Sequence, residues 1–337
     1  MARPTIHDVA RVAGVSLSTV DRVLNRRVSV RQATRDQVED AMRSLGYIRN
    51  SAAASLARGR TRRFDFLIPS GANSFMRMLE SEVAAYSETL AADTVEVEVR
   101  TVPAFDERAL AEALERVDAD GVAFVAVDSP AVREAVRGLR ARGLGVVTVV
   151  SDLPAELRDH FVGIDNIWAG RTAAGLLGRF CDARPGAIAT IAGSMVVQDH
   201  AERRLGFQQV MATDFAQLEL LPMIEAYDDA EVVEARVAAL VADNPGISGI
   251  YSLGAGNRGL VAALARLPHR PRVVVHELTD LSRRWLLENR IDAVIRQDPA
   301  REARSALRTL IALSSERPFH FNENQVGIEI FLRDNLP

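Results

Sequence analysis

A chain of 337 residues that is 48% hydrophobic has material for two or three domains with sizeable cores. No run approaches the roughly 18 apolar residues that a membrane span needs, and a lone cysteine, Cys181, excludes an intramolecular disulfide and fits a reducing compartment. The formal charge of −4 is unevenly spread: residues 1–63 hold 13 Arg and 5 acids, a surplus of +8, which leaves −12 on the remainder. A basic head that suits a polyanion therefore precedes an acidic body. All 41 basic residues are Arg, a compositional bias without a functional message. The start, MARPTIHDVA, lacks an apolar h-region, so a cytoplasmic protein is expected.

The first patterned stretch is residues 5–25, TIHDVARVAGVSLSTVDRVLN. Thr5 can cap a first helix, with Asp8 in the position where a capping box usually has Glu or Gln. Val9, Ala10 and Ala13 follow at helical spacing, and Gly14 suits a tight turn. Ser16 can cap a second helix whose Val20 and Leu24 face inward, leaving Leu17, Ser18, Asp21, Arg22 and Asn25 outward. Such a helix-turn-helix presents hydroxyls to base edges or phosphates, and Leu17 to a thymine methyl. The same pattern also occurs in plain helical hairpins. A third helix over 31–45 buries Val38, Met42 and Leu45 and stops at Gly46.

The residue string is more specific than the pattern. AxxAGVSxxTVxRVLN, continued by TRDQVEDAMRSLGYIRN, resembles the DNA-binding head of the lactose-repressor family of transcription regulators. The resemblance implies a helix-turn-helix domain over 1–48 and a hinge over 49–61. It places DNA contacts on Thr5, His7, Ser16, Leu17, Ser18, Thr19, Arg22, Asn25, Arg31 and Thr34, and on Asn50, Ala53 and Leu56 of the hinge. In NSAAASLARGR (50–60) it implies a helix that orders on DNA and drives Leu56 into the minor groove. Without it, so short a segment reads as a flexible tether. Two departures stand out. Arg31 replaces a small hydroxyl residue and suits a phosphate contact. Asp21 replaces a common Ser, and could pair with a neighbouring Arg or accept from a cytosine amino group.

From about residue 62 the pattern alternates between strands and helices. Candidate strands are 64–68, 95–99, 121–127, 145–150, 187–192, 249–253, 272–276 and 292–295. Helical stretches lie near 74–91, 106–117, 130–142, 166–181, 200–213, 229–243, 259–266 and 299–314. Apolar strands between helices imply an α/β body with parallel sheets covered on both faces, and the strand count suits two doubly wound lobes. The resemblance implies the same for 62–337: a periplasmic-binding-protein-like, effector-binding and dimerisation domain. Its N-lobe takes about 62–165 and 298–324, its C-lobe about 166–297 and 325–337, with crossovers near 164–166, 296–298 and 324–326.

Polar residues gather where strands end, which is where open α/β sheets bind ligands. Ser151, Asp152, Asp165, Asn166, His276, Glu277 and Gln297 are such residues, and Arg203 sits at a helix start. Aligned with sugar-binding relatives, Arg203 in RRLGF, Glu277 and Gln297 in VIRQDP fall on ligand-contacting positions. Phe75 in ANSFM matches an aromatic that lies against a sugar ring, and Asn257 stands near a position where relatives have an Asn-Asp pair. Carboxylate, amide and Arg fork on one side and an aromatic face on the other suit a sugar or polyol. Individually, each could equally be an ordinary loop residue, as Asp152 or Asn166 could be by capping the next helix.

One motif competes. GAGNRG (254–259) follows a strand, precedes a helix and has Glu277 18 residues beyond its last glycine, close to a dinucleotide fingerprint. The alternative is a dinucleotide sensor or an NAD-dependent enzyme. There is no GxSxG, HExxH, phosphate-loop lysine or Cys-His metal spacing, so no catalytic residue, metal or cofactor is expected. The reading is a repressor acting as a homodimer on a palindromic operator, controlled by a small carbohydrate-like effector. No heptad tail follows VGIEIFLRDNLP, so nothing demands more than a dimer.

Overall fold

The computed structural model describes residues 5–24, 30–45, 61–90, 94–181, 186–267, 270–315 and 326–337. It divides into two compact units, Met1–Thr61 with Ala92–Thr94 and Arg62–Ala91 with Val95–Pro337.

The head is three helices, α1 (Ile6–Val12), α2 (Leu17–Leu24) and α3 (Gln32–Leu45). Thr5 and Asp8 form a reciprocal cap on α1. The Thr5 hydroxyl accepts from the Asp8 N–H, and the Asp8 carboxylate accepts from the Thr5 N–H at 2.9 Å. Those bonds and Arg11 hold Asp8 down at about 2. Asp thus completes the box in place of the usual Glu. Gly14 turns the chain at φ +63°, a conformation that glycine adopts without a Cβ clash. Ser16 then caps α2 by accepting from the Thr19 N–H. Val9, Ala13, Val20 and Val38 meet in a small core. Gly46 and the hinge lie outside the described residues.

The body begins with a five-stranded parallel sheet. Its strands are β1 (Arg62–Ser70), β2 (Val95–Pro103), β3 (Gly121–Phe124), β4 (Gly145–Val149) and β5 (His160–Val162), ordered β2-β1-β3-β4-β5. Alternate residues of β1 point to opposite faces: Phe64, Phe66 and Ile68 enter one core, and Leu67 enters the other with Leu114 and Phe124. The Ser74–Leu90 and Pro299–Leu313 helices cover the first face.

A second sheet follows, of β6 (Ala187–Ala192), β7 (Glu219–Leu220), β8 (Ile224–Glu225), β9 (Ile247–Ser252), β10 (Arg272–His276), β11 (Ala293–Arg296) and β12 (Glu329–Phe331). Its order is β12-β11-β10-β9-β6-β7, with β8 also on β6, and only β12 runs antiparallel. The two α/β lobes are the doubly wound body that the alternation implies. Four short strands, β5, β7, β8 and β12, are not legible in the sequence because two or three residues carry no periodicity, and the eight-residue Asp280–Leu287 helix is a further element the sequence reading lacks. β3 ends at Phe124 rather than 127; the Val125 and Ala126 amides still donate, to Leu67 O and Ser151 O.

Two glycines set the geometry of the later site. A Cβ at Gly170 would lie 1.9 Å from Arg203 O, and one at Gly206 2.1 Å from Ile167 O. The Asn166–Cys181 and Gln198–Asp214 helices therefore touch backbone to backbone, which brings Arg203 against Asn166. The chain passes between the lobes near Asp165 and again near Gln297. Of the third expected passage, 324 and 325 lie outside the described residues.

Candidate functional site

A cavity of about 300 Å³ opens between the ends of the two sheets. From the first lobe come Phe75, Met76, Phe105 and the run Val125–Val127. From the second come Asp199, His200, Arg203, Asp228, Asn257, His276, Glu277 and Gln297. Six of the ten expected effector residues thus lie together: Phe75, Arg203, Asn257, His276, Glu277 and Gln297.

Arg203 is the centre of the polar wall. It is buried, donates through Nε to Asn166 Oδ1 and through Nη1 to Leu253 O, each at 2.8 Å, and keeps Nη2 without a hydrogen-bond partner. Asp199 Oδ2 stands 4.0 Å from that Nη2. Glu277, at φ +70°, accepts from the Gln297 backbone and side-chain amides at 3.2 and 3.0 Å. Burial pushes its carboxyl up to about 7, against the pull of Arg203 and the Gln297 bonds. His276 pairs through Nε2 with the hydroxyl of Tyr251 at 2.8 Å; burial, with Arg203 and His200 adding, holds it well below the usual histidine range. Glu302, wholly buried, is raised well above the carboxylate range by burial and by Glu277.

The other four expected residues serve the frame. Ser151 Oγ accepts from the Gln198 N–H, tying β4 to the start of a second-lobe helix. Asp152 takes Arg158 in a two-pronged pair. Asp165 caps the Asn166–Cys181 helix through the Trp168 N–H, and Asn166 holds Arg203 from behind. None of the four lines the cavity.

Asp228 was missed. It sits at φ +59° after the two-residue strand β8, accepts from Ala255 N–H at 2.8 Å, and accepts from Asn73 Nδ2 of the first lobe at 2.8 Å. Its neighbour Tyr227 meets Phe105 edge-on, 6.1 Å between centroids. The signal available was the Asp-Asp pair of AYDDAE ahead of a helix, half of which is the Asp229 cap. Asp199 and His200 were also passed over, although Asp199 stands one helical turn before Arg203.

The glycines of GAGNRG have packing duties. A Cβ at Gly254 would lie 2.8 Å from Asp228 Oδ1, Gly256 takes φ +79°, and a Cβ at Gly259 would lie 1.8 Å from Ala230 O. Asp228 occupies the loop amide that a pyrophosphate would use in the dinucleotide fold. The motif therefore closes on a carboxylate of the protein.

In the head, Thr5, His7, Ser16, Leu17, Ser18, Arg22 and Arg31 are exposed, and Thr19 and Thr34 are half-buried. The Ser16 hydroxyl is shared with Ser18 and Thr19 at 2.9 and 2.8 Å. The start of α3 is closed by the Arg31 carbonyl, leaving its guanidinium uncommitted to capping. Asn25, Asn50, Ala53, Leu56 and the side chain of Asp21 lie outside the described residues.

Two sheets of this topology with a polar cleft at their strand ends define a binding-protein fold, and the chain belongs to the periplasmic binding protein domain family, which it matches over residues 64–318. Residues 5–50 match the bacterial regulatory proteins of the lacI family, so a lacI-type head is joined to that body. Among curated relatives, the HTH-type transcriptional regulator GntR of Pseudomonas aeruginosa is 44% identical over 80 residues, 23% of each chain. The HTH-type transcriptional regulator DegA of Bacillus subtilis is 27% identical over 210 residues, 62% of this chain and 61% of that one. The matches thus span less than two thirds of these relatives' length. Among solved structures, a solute binding protein from Agrobacterium vitis bound with alpha-D-tagatopyranose superposes with a TM-score of 0.73 at 16% identity, over 81% of this chain and 95% of that one. Among the described residues, no helix is long and apolar enough to cross a membrane.

Proposed function

We propose that this chain is a sequence-specific DNA-binding transcription regulator, a repressor, whose operator affinity is set by a sugar or polyol held between the lobes of its body. The observation that carries the effector half is the cavity: an apolar wall with Phe75 faces a polar wall in which Arg203, Asn257 and Gln297 keep buried polar atoms without partners. That pairing of C–H surface with fixed donors and acceptors is what a ring of hydroxyls requires. The tagatopyranose-bound relative of the same fold supports the class of ligand. The DNA half rests on the head, whose α2 begins with exposed Leu17 and Ser18, the end that enters a major groove.

The protein acts in the cytosol as a homodimer, since two heads on a palindrome need two chains. Effector and operator are linked only through the difference in affinity each has for the body's states, so the effect on operator binding equals the reciprocal effect on effector binding. The test is a thermal-shift screen against sugars and polyols, followed by operator binding with and without the hit. A ligand at a hundred times its Kd adds about 2.7 kcal/mol of stability, and Arg203→Ala should abolish that shift. The absence of any shift would sink the carbohydrate reading. In the head, Arg22→Ala should flatten the salt dependence of DNA binding by the share of one phosphate contact. An unaltered slope would remove Arg22 from the interface.

A further inference from the structure

The hydrogen-bonding faces left open in the polar wall can be assigned one by one. Arg203 binds Asn166 through Nε and Leu253 O through Nη1, and its Nη2 has no hydrogen-bond partner. Tyr251 is fully buried and its hydroxyl has His276 Nε2 as partner. A buried phenol must donate its proton, so Nε2 accepts and Nδ1 carries the hydrogen of a neutral ring. His276 Nδ1, unpaired within the protein, is therefore a second donor.

Open acceptors stand beside these donors. Gln297 Nε2 donates to Glu277, which fixes the amide and leaves its Oε1 unpaired. Asn257 Nδ2 turns to Gly254 O at 3.4 Å and leaves Oδ1 unpaired. Asp199 Oδ1 is unpaired and buried. Asp228 adds a carboxylate at the start of the Asn257–Leu264 helix, on the amide where an anion would otherwise bind. The one guanidinium in the wall is already faced by Asp199. Arg258 is exposed at the rim, where solvent screens it.

We propose that the cleft selects its effector by charge: it takes a neutral polyhydroxy compound and rejects the acid and phosphate forms of the same compound, with Asp228 and Asp199 imposing the rejection. This rests on the carbohydrate reading above and narrows it. A neutral sugar brings a hydrogen on every hydroxyl and so can donate to the open oxygens of Gln297, Asn257 and Asp199. A carboxylate or phosphate brings acceptors alone, and meets the carboxylates of Asp228 and Asp199.

The test is isothermal titration of the full chain at pH 7.5 with matched probes. The neutral set is D-glucose, D-galactose, D-ribose, D-xylose and D-arabinose. The charged set is the uronic acids of the two hexoses, their 6-phosphates and the 5-phosphates of the pentoses. The expected result is binding of at least one neutral sugar, with its charged counterparts weaker by at least about tenfold. Asp228→Asn should narrow that gap, and Asp199→Asn serves if the first variant does not fold as judged by circular dichroism. A charged counterpart that binds as well as its neutral sugar overturns charge selection and leaves the carbohydrate reading standing. A gap unchanged in both folded variants overturns the roles of Asp228 and Asp199. Binding of no probe at all fails the carbohydrate reading, and this inference with it.

Discussion

The first lobe brings Phe75, Met76, Val125, Ala126 and Val127 to the cavity, and the second brings Asp199, Arg203, Asp228, His276 and Glu277. Both sets stand at the ends of parallel strands, in the loops beyond them or in the first two turns of the helices that follow, yet the first set is apolar and the second polar or charged. The difference follows from what lies behind each wall. Behind Val125 and Phe75 lie first-lobe side chains such as Phe66, Ile68 and Leu79, which offer a polar group no partner. Behind Arg203 are Asn166 and the Leu253 carbonyl, and behind His276 is Tyr251, so the second lobe has buried partners that hold polar side chains in place. The buried polar groups of the cavity are thus concentrated in one pre-paired lobe. The other lobe contributes mostly apolar side chains, with Asn73 donating across to Asp228.

The comparison breaks most readily at Arg203. Arg203→Ala removes two buried hydrogen bonds and leaves Asp199 and Glu277 without their counter-charge, so the body should lose about 3–5 kcal/mol in urea unfolding. A loss under 1 kcal/mol would mean that the polar wall is not held by this residue.

Glu277 gives the next largest effect, and it depends on pH. Its folded value of about 7 lies above the ordinary 4.5, so the folded state favours the protonated form. Stability from this group is complete below about 4.5 and is lost as pH rises to about 7, on the order of 3 kcal/mol across that window. The stability of Glu277→Gln relative to the parent should therefore rise between pH 5 and pH 8. His276 is depressed and contributes the opposite slope as pH falls below 6.5, and its Nδ1 stands 3.8 Å from Glu277 Oε1, so the difference is read most directly between pH 6.5 and pH 8. A difference that stays flat with pH would show that Glu277 is not the strained acid of this wall.

Gly254→Ala should cost about 1–3 kcal/mol, because its Cβ would press on Asp228 Oδ1, Gly193 N and His200 Cε1. Chemical denaturation measures it, and a neutral substitution would show that the Asp228 seat yields without cost. Smallest is Phe75→Leu on the apolar wall. It should lower stability by about 1 kcal/mol while leaving the pH dependence of unfolding unaltered. A changed pH profile would show that the two walls are not chemically separate.

Much of the architecture could be read from the residues alone, because it depends on neighbours in the chain. Thr5 and Asp8 cap α1 across three residues, Gly14 supplies a left-handed turn, and the alternation of apolar runs with helices yields two parallel sheets. The order of strands and helices was also legible, and with it the zone of the cleft, although β3 ends at Phe124 rather than 127 and β2 runs on to Pro103.

Only the tertiary structure decided which polar strand-end residues face the cavity. Asp152 and Glu277 both follow an apolar strand, but Arg158 folds back onto Asp152, whereas Glu277 is turned to Gln297 by a positive φ. Local sequence does not distinguish the two. Asp228 was hidden for the same reason: its partners Asn73 and Ala255 lie 155 and 27 residues away, and its seat depends on Gly193 and Gly254 leaving room for its carboxylate. Patterning specifies the face a residue takes within its own element. The partner that pairs or frees its charge comes from another element, and only packing brings the two together.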